Sequence, residues 1–202
     1  MELMIVAAVL VVLAAFVLAS LGRARPRAAR LTCTNHLKQM VLAFRSWSLD
    51  HDDKFPWQVS VTNGGTKEFV ETGSVYVHFL VLSNELNSPK LLICPTETSR
   101  TAATNWSFLR NRNISYFVAP DATNPQPQTI LSGDDNFTIN GVKPKSGLVS
   151  WWTNDTFAWM ATRHMNQGNI CLGDGSVQAS TSKSLTGAFQ GSELATNRLV
   201  IP

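Results

Sequence analysis

The sequence predicts an α+β fold in which a long N-terminal helix, an apolar membrane half followed by an amphipathic half, packs on a small antiparallel β-sheet domain. Three observations carry this expectation. From Leu3 to Leu21 the chain reads LMIVAAVLVVLAAFVLASL without a charge, which as a helix spans about 28 Å and matches a bilayer core. Beyond it, Cys33, Leu37, Met40, Val41, Phe44 and Ser48 recur at helical spacing, forming a one-sided stripe over residues 28–49. Toward the other end, Asn169–Gly173 and Ser176–Ser180 are β-prone runs joined by Asp174-Gly175, a dipeptide that tolerates the positive φ of a tight hairpin turn.

The remaining elements follow in order. Pro26 removes a backbone hydrogen bond and bends the helix near the junction of its halves. The helix stops around Asp50–Asp53, before Phe55-Pro56. Residues 75–82 are β-prone by composition, yet Ser74 stands where a helix cap belongs, so both assignments are open from the residues alone. Strands are predicted near 113–118, 128–132, 147–152, 169–173 and 176–180, with a last short helix near 182–189. The turn-rich stretch 119–146 is expected on the surface. Two units result: residues 1–27, an apolar helix with a basic flank, and residues 28–202, a globular domain that includes the soluble half of the helix.

Composition narrows the function classes. Of the 202 residues 44% are hydrophobic and 15% charged, with six Trp and ten Phe, which excludes a disordered chain and argues against a coiled coil. The net charge of +3 is a local effect. Residues 1–21 hold one charge, Glu2; residues 22–30 hold four Arg and no acid; the rest balances thirteen basic against thirteen acidic side chains. A basic cluster beside an apolar segment points to lipid headgroups, and the neutral body argues against a nucleic-acid partner.

Orientation poses a conflict. Four Arg after the segment and none before it favour a cytoplasmic body by the positive-inside rule. The body nevertheless reads as exported, with sequons at Asn105, Asn113, Asn136 and Asn154 and a pair of well-placed cysteines. The conflict disappears if a short basic leader has been removed or lies outside this sequence. A secretory signal peptide cleaved after Ala19 is the alternative, although its basic region would precede the apolar core. Glu2, an acid ahead of an uninterrupted apolar helix, needs a cation partner, for which a neighbouring subunit's amino terminus is suited, or else the headgroup layer and the helix dipole.

Glu2-Leu3-Met4-Ile5-Val6-Ala7 and Val9–Ala15 resemble the first helix of type IV pilins and type II secretion pseudopilins. In that family a prepilin peptidase removes a basic leader, the new amino terminus is methylated, and the acid at the fifth mature position docks the subunit into a filament; Glu2 matches that acid, which places Met1 fourth. Further matches point to the subgroup named for its H-x9-DG signature: Cys33-Thr-Asn35-His-Leu37-Lys38-Gln39, Lys54-Phe55-Pro56, Asn84-Glu85-Leu86 through Cys94-Pro95, Ile114–Val118, His164 with Asp174-Gly175, and Ala195–Leu199. The resemblance implies a pilin-like fold, a helix over 75–82, and a filament packed through Glu2, Leu3, Val6, Leu10, Leu13 and Phe16. It also implies single-pass storage in the inner membrane, then a periplasmic pseudopilus or a surface pilus. The implied partners are identical or related subunits, the peptidase and the assembly machinery.

Three cysteines in an exported protein suggest one disulfide and one thiol left over. Cys33 and Cys94 are the expected pair, because Cys171 sits mid-strand among apolar residues and serves as a small buried hydrophobe. The bridge closes a loop of about 60 residues and contributes about 4 kcal/mol in the entropy model. His164 is expected near the open end of the Asp174-Gly175 hairpin, bonding a backbone group or Asp174, with metal ligation the lesser alternative. No Cys-x2-Cys spacing is present, the acids Asp50, Asp52 and Asp53 read as a solvated helix end, and no metal or cofactor is expected. Trp57, Trp106, Trp151, Trp152 and Trp159 read as core, with subunit contacts or a sugar-binding surface as alternatives.

No nucleophile–base pair, metalloprotease motif or phosphate loop appears, and the four His are scattered, so no enzyme is expected. The sequence reads as a structural subunit that buries its apolar helix against identical helices. The alternative is a singly anchored periplasmic or surface binding module whose Trp-rich face grips carbohydrate.

Overall fold

The computed structural model describes residues 1–123, 126, 128–191 and 197–202, the side chains of residues 17–27 excepted. Helix α1 (Glu2–Leu49) is followed by a stretch of short 3-10 turns that contains α2 (Val75–Leu80). Then come β1 (Tyr116–Val118), β2 (Ile130–Asp134), β3 (Phe137–Ile139), β4 (Gly147–Ser150), β5 (Phe157–Trp159), β6 (Gln167–Leu172), β7 (Val177–Thr181), α3 (Ser182–Gln190) and β8 (Arg198–Ile201). Six strands form one sheet in the order β4-β8-β1-β2-β6-β7, and β3 pairs with β5 in a separate two-stranded ladder. All the pairings are antiparallel.

Strand side chains alternate between faces, so each buried strand feeds two cores. Tyr116, Val118, Leu131, Cys171 and Val200 join the core under α1, together with Cys33, Leu37, Met40, Val41 and Phe44. Phe117, Ile130, Ile170, Leu172, Leu199 and Ile201 face the opposite way and pack with Phe137, Phe157 and Trp159 of the small ladder and with Leu185 and Phe189 of α3. The sheet is therefore covered on both faces, by α1 on one side and by α3 with the β3–β5 ladder on the other.

Local chemistry sets the ends of these elements. The chain leaves α1 at Asp50, and Asp52 and Asp53 adopt φ of 54° and 57°, left-handed values that short polar acids tolerate better than most residues. The Asp53 amide returns to the Ser48 carbonyl at 2.9 Å. Thr181 caps α3, its hydroxyl accepting from the Ser184 amide. Gly175, at φ 91°, turns the β6–β7 hairpin, and the Asp174 carboxylate accepts from the Ser176 amide at 2.8 Å.

The expected membrane half of the fold does not hold. Among the described residues no helix is long and apolar enough to cross a membrane. The fold class is thus corrected to an α+β body carrying an exposed apolar helix end. Arg23, Arg25 and Arg27 of the basic flank, the bend at Pro26, the cleavage point after Ala19 and the Ala195-Thr196 match lie outside the described residues.

The stretch 119–146 is a second correction. It contains β2 and β3, and Asp134, Asp135 and Asn136 are buried. Polar residues that read as a surface turn are internal because distant partners satisfy them. Arg100 Nη1 lies 2.6 Å from Asp135 Oδ2, Arg163 Nη2 pairs with Asp135 Oδ1, and Asn136 Nδ2 donates to the Met160 and Arg163 carbonyls.

Candidate functional site

Two features stand out, one exposed and one buried. The exposed feature is the start of α1, where Leu3, Val6, Leu10, Leu13 and Phe16 project into solvent, from 55% exposed at Leu13 to 85% at Leu3. Val9, Val11 and Val12 are exposed on the other sides, so the segment is apolar all round and rests on no part of the described body. Glu2 sits in its first turn, where a carboxylate complements the helix dipole.

The buried feature lies between α1 and the sheet. Cys33 opens the inward stripe of α1. Tyr116 of β1 and Asp134 of β2 are direct cross-strand partners, so their side chains share a face, and that face is the one beneath Cys33. The Cys33 thiol donates to Asp134 Oδ1 at 3.2 Å and lies 3.3 Å from Tyr116 Oη. Cys94 arrives from the loop after the 3-10 turn at Pro89–Leu92, its Sγ 3.1 Å from Thr96 Oγ1 and 3.2 Å from His164 Nε2. His164 Nε2 is also 3.8 Å from Asp134 Oδ2. One donor atom from each of Cys33, Cys94, Asp134 and His164 lies within 4.8 Å of the others.

Surrounding groups fix this arrangement. Asp134 Oδ2 accepts from both the Asn169 amide at 2.8 Å and Asn169 Nδ2 at 3.0 Å, and Asn169 Oδ1 accepts from Thr34 Oγ1 at 3.2 Å. His164, Met165 and Asn166 adopt φ of 52°, 54° and 60°, three consecutive left-handed residues of a kind that non-glycine chains rarely string together. The turn ends in a His164 side chain that is fully buried, with Nδ1 lacking a hydrogen-bond partner among the described residues.

The electrostatics separate the two thiols. The hydrogen bond from Cys33, with those from His164 and Thr96, holds the Cys94 thiol well below its usual range against the effect of burial. Its bond to Cys94, burial and the Asp134 charge all push Cys33 upward. Burial, followed by the Cys94 charge, raises Asp134. Burial opposes the Arg163 charge, but Asp135 and Asp134 outweigh it and raise the guanidinium further. A polar cleft lined by Glu97, Arg100, Asp135, Lys143 and Arg163 opens alongside, with Arg100 and Arg163 paired to Asp135 within it.

The sequence-predicted residues divide as follows. Cys33 and Cys94 are brought together, both as free thiols, and Cys171 is a third, buried in β6. His164 joins them and bonds Cys94 rather than Asp174, which stays at the exposed hairpin tip. Asn105 and Asn154 are exposed, whereas Asn113 and Asn136 are buried with their carboxamides engaged, a state that offers no acceptor to a glycosyl donor. Trp57, Trp151 and Trp159 are core, and Trp152 is 69% exposed. Asp134 was missed by sequence reasoning, because Ser-Gly-Asp-Asp-Asn reads as a turn; its only signal is the β-prone Thr129–Ser132 run just before it.

No family model, curated protein or solved structure matches the chain.

Proposed function

We propose that the chain is a structural subunit of a type IV pilus-like or type II secretion pseudopilus-like filament, held to its neighbours through the start of α1. The observation that carries this reading is the helix end itself, apolar on every side over residues 3–16 and packed against nothing in its own body. Each such side chain moved out of water contributes about 1.5–3 kcal/mol when fully buried, and a contiguous exposed patch of this kind marks an interaction surface. A second copy is the partner of matching chemistry, since helices of one sequence present the same apolar surface to one another. Glu2 would then be neutralised by a basic group of a neighbour. Against the carbohydrate-binding alternative, Trp57, Trp151 and Trp159 are interior, leaving Trp152 exposed and Trp106 half-buried.

The test is assembly of the full chain, followed by sedimentation and electron microscopy. Wild type forms filaments, whereas Leu10→Glu and Glu2→Lys remain dispersed with an unchanged circular dichroism spectrum of the body. Filaments of normal length from both variants would overturn the reading.

A further inference from the structure

We propose that Cys33, Cys94, Asp134 and His164 form a closed four-ligand site for a divalent transition metal, zinc by preference. The donor set is two sulfurs, one imidazole nitrogen and one carboxylate oxygen, each a ligand type that tetrahedral zinc accepts. With metal–sulfur bonds of about 2.3 Å and metal–nitrogen or metal–oxygen bonds of about 2.0–2.2 Å, the edges of a coordination tetrahedron measure about 3.3–3.8 Å. The donors here already stand 3.2 Å (Cys94 Sγ to His164 Nε2) and 3.2 Å (Cys33 Sγ to Asp134 Oδ1) apart, and all four lie within 4.8 Å of one another.

Three further observations favour a metal over a Cys33–Cys94 disulfide. A disulfide uses neither Asp134 nor His164, both of whose side chains are fully buried. Asn169 donates twice to Asp134 Oδ2, leaving Oδ1 aimed at the sulfurs, and such outer hydrogen bonds are how proteins orient metal carboxylates. The left-handed run His164–Asn166 is backbone strain of the kind concentrated at ligand-holding positions, and it delivers the imidazole to the cluster.

Binding expels the thiol protons of the two cysteines to solvent. Two thiolates and one carboxylate around a doubly charged ion leave one negative charge, which faces Arg163. Four protein ligands leave no open position, so the role is structural. The ion ties α1, the Cys94 loop, β2 and the turn before β6 at one point.

The probe is cobalt(II), added without oxygen to the full chain reduced, stripped of metal and held in mild detergent. The expected result is saturation at one equivalent, with thiolate-to-cobalt charge-transfer absorption and the intense visible bands of tetrahedral cobalt, both abolished by zinc. Cys171→Ala keeps the spectrum, and His164→Gln weakens binding at least about 10–100-fold. Because wild-type protein carries the readout, misfolding of a variant does not blur it. Absence of the tetrahedral spectrum from folded, reduced wild type, or a Cys33–Cys94 disulfide in protein isolated from its own cells, would overturn the site.

Discussion

His78 shows how one side chain can set the acid limit of the body. Its Nδ1 lies 2.7 Å from Thr66 Oγ1, the Trp57 ring stands edge-on at 6.2 Å, and burial lowers its pKa from the ordinary 6.5 to about 4. The folded chain thus holds His78 neutral where the unfolded chain would protonate it. Its contribution is intact above about pH 6.5 and declines as pH falls toward about 4, by about 1.4 kcal/mol per unit and roughly 3 kcal/mol in all. Urea unfolding across that window should show the decline, and His78→Gln should flatten it; an equally steep slope in the variant would assign the loss to other groups. Sequence reading reached the neighbourhood of the buried cluster only in part. Cys33, Cys94 and His164 were recognisable as residue types with chemistry. Asp134 was not, because its partners lie far along the chain, Asn169 35 positions away and Cys33 101 positions away, and no local pattern encodes such pairings.

Among the elements, the soluble half of α1 makes the sharpest prediction. Phe44 packs with ring centroids 5.1 Å from Trp57, 5.6 Å from Phe79 and 6.5 Å from Phe55. Truncation by Phe44→Ala should cost about 3–5 kcal/mol, whereas Leu42→Ala, on the exposed side of the same turn, should stay within about 0.5 kcal/mol. Chemical denaturation of the two variants tests whether the stripe or the helix as a whole carries the packing. The elements legible in the sequence are those with a long period or a distinctive turn: the stripe from Cys33 to Ser48, the Asp174-Gly175 hairpin and the helix capped at Thr181. Strands β3, β5 and β8 are only three or four residues long, too short for alternation to register, and they exist because neighbours complete their ladders. The same dependence explains Asp135, whose charge is tolerable inside only because Arg100 and Arg163 reach it.

At the scale of the whole molecule, order should be unequal along α1. Residues 2–16 have no tertiary support in an isolated subunit, and helices gain most of their stability from packing. Hydrogen exchange should therefore be fast in this segment for dispersed protein and slow once subunits associate, while amides of β1 and β2 at the centre of the sheet stay protected in both states. Equal protection of residues 2–16 in both samples would mean that assembly uses another surface. The far side of the body is tied down differently: Arg198 on β8 binds Asp121 at 2.6 Å and Glu71 at 2.7 Å, clasping the last strand to two earlier loops. The unequal halves of α1 also have a mechanical consequence. Any pull on the protruding end travels along the helix axis and meets the body first at Arg30, bonded to Gln167 of β6, then at Cys33 and turn by turn at Leu37, Met40, Phe44 and Trp47. Tension directed along such a row shears its contacts together rather than peeling them one at a time, so the subunit should resist stretching far better than its equilibrium stability alone would suggest.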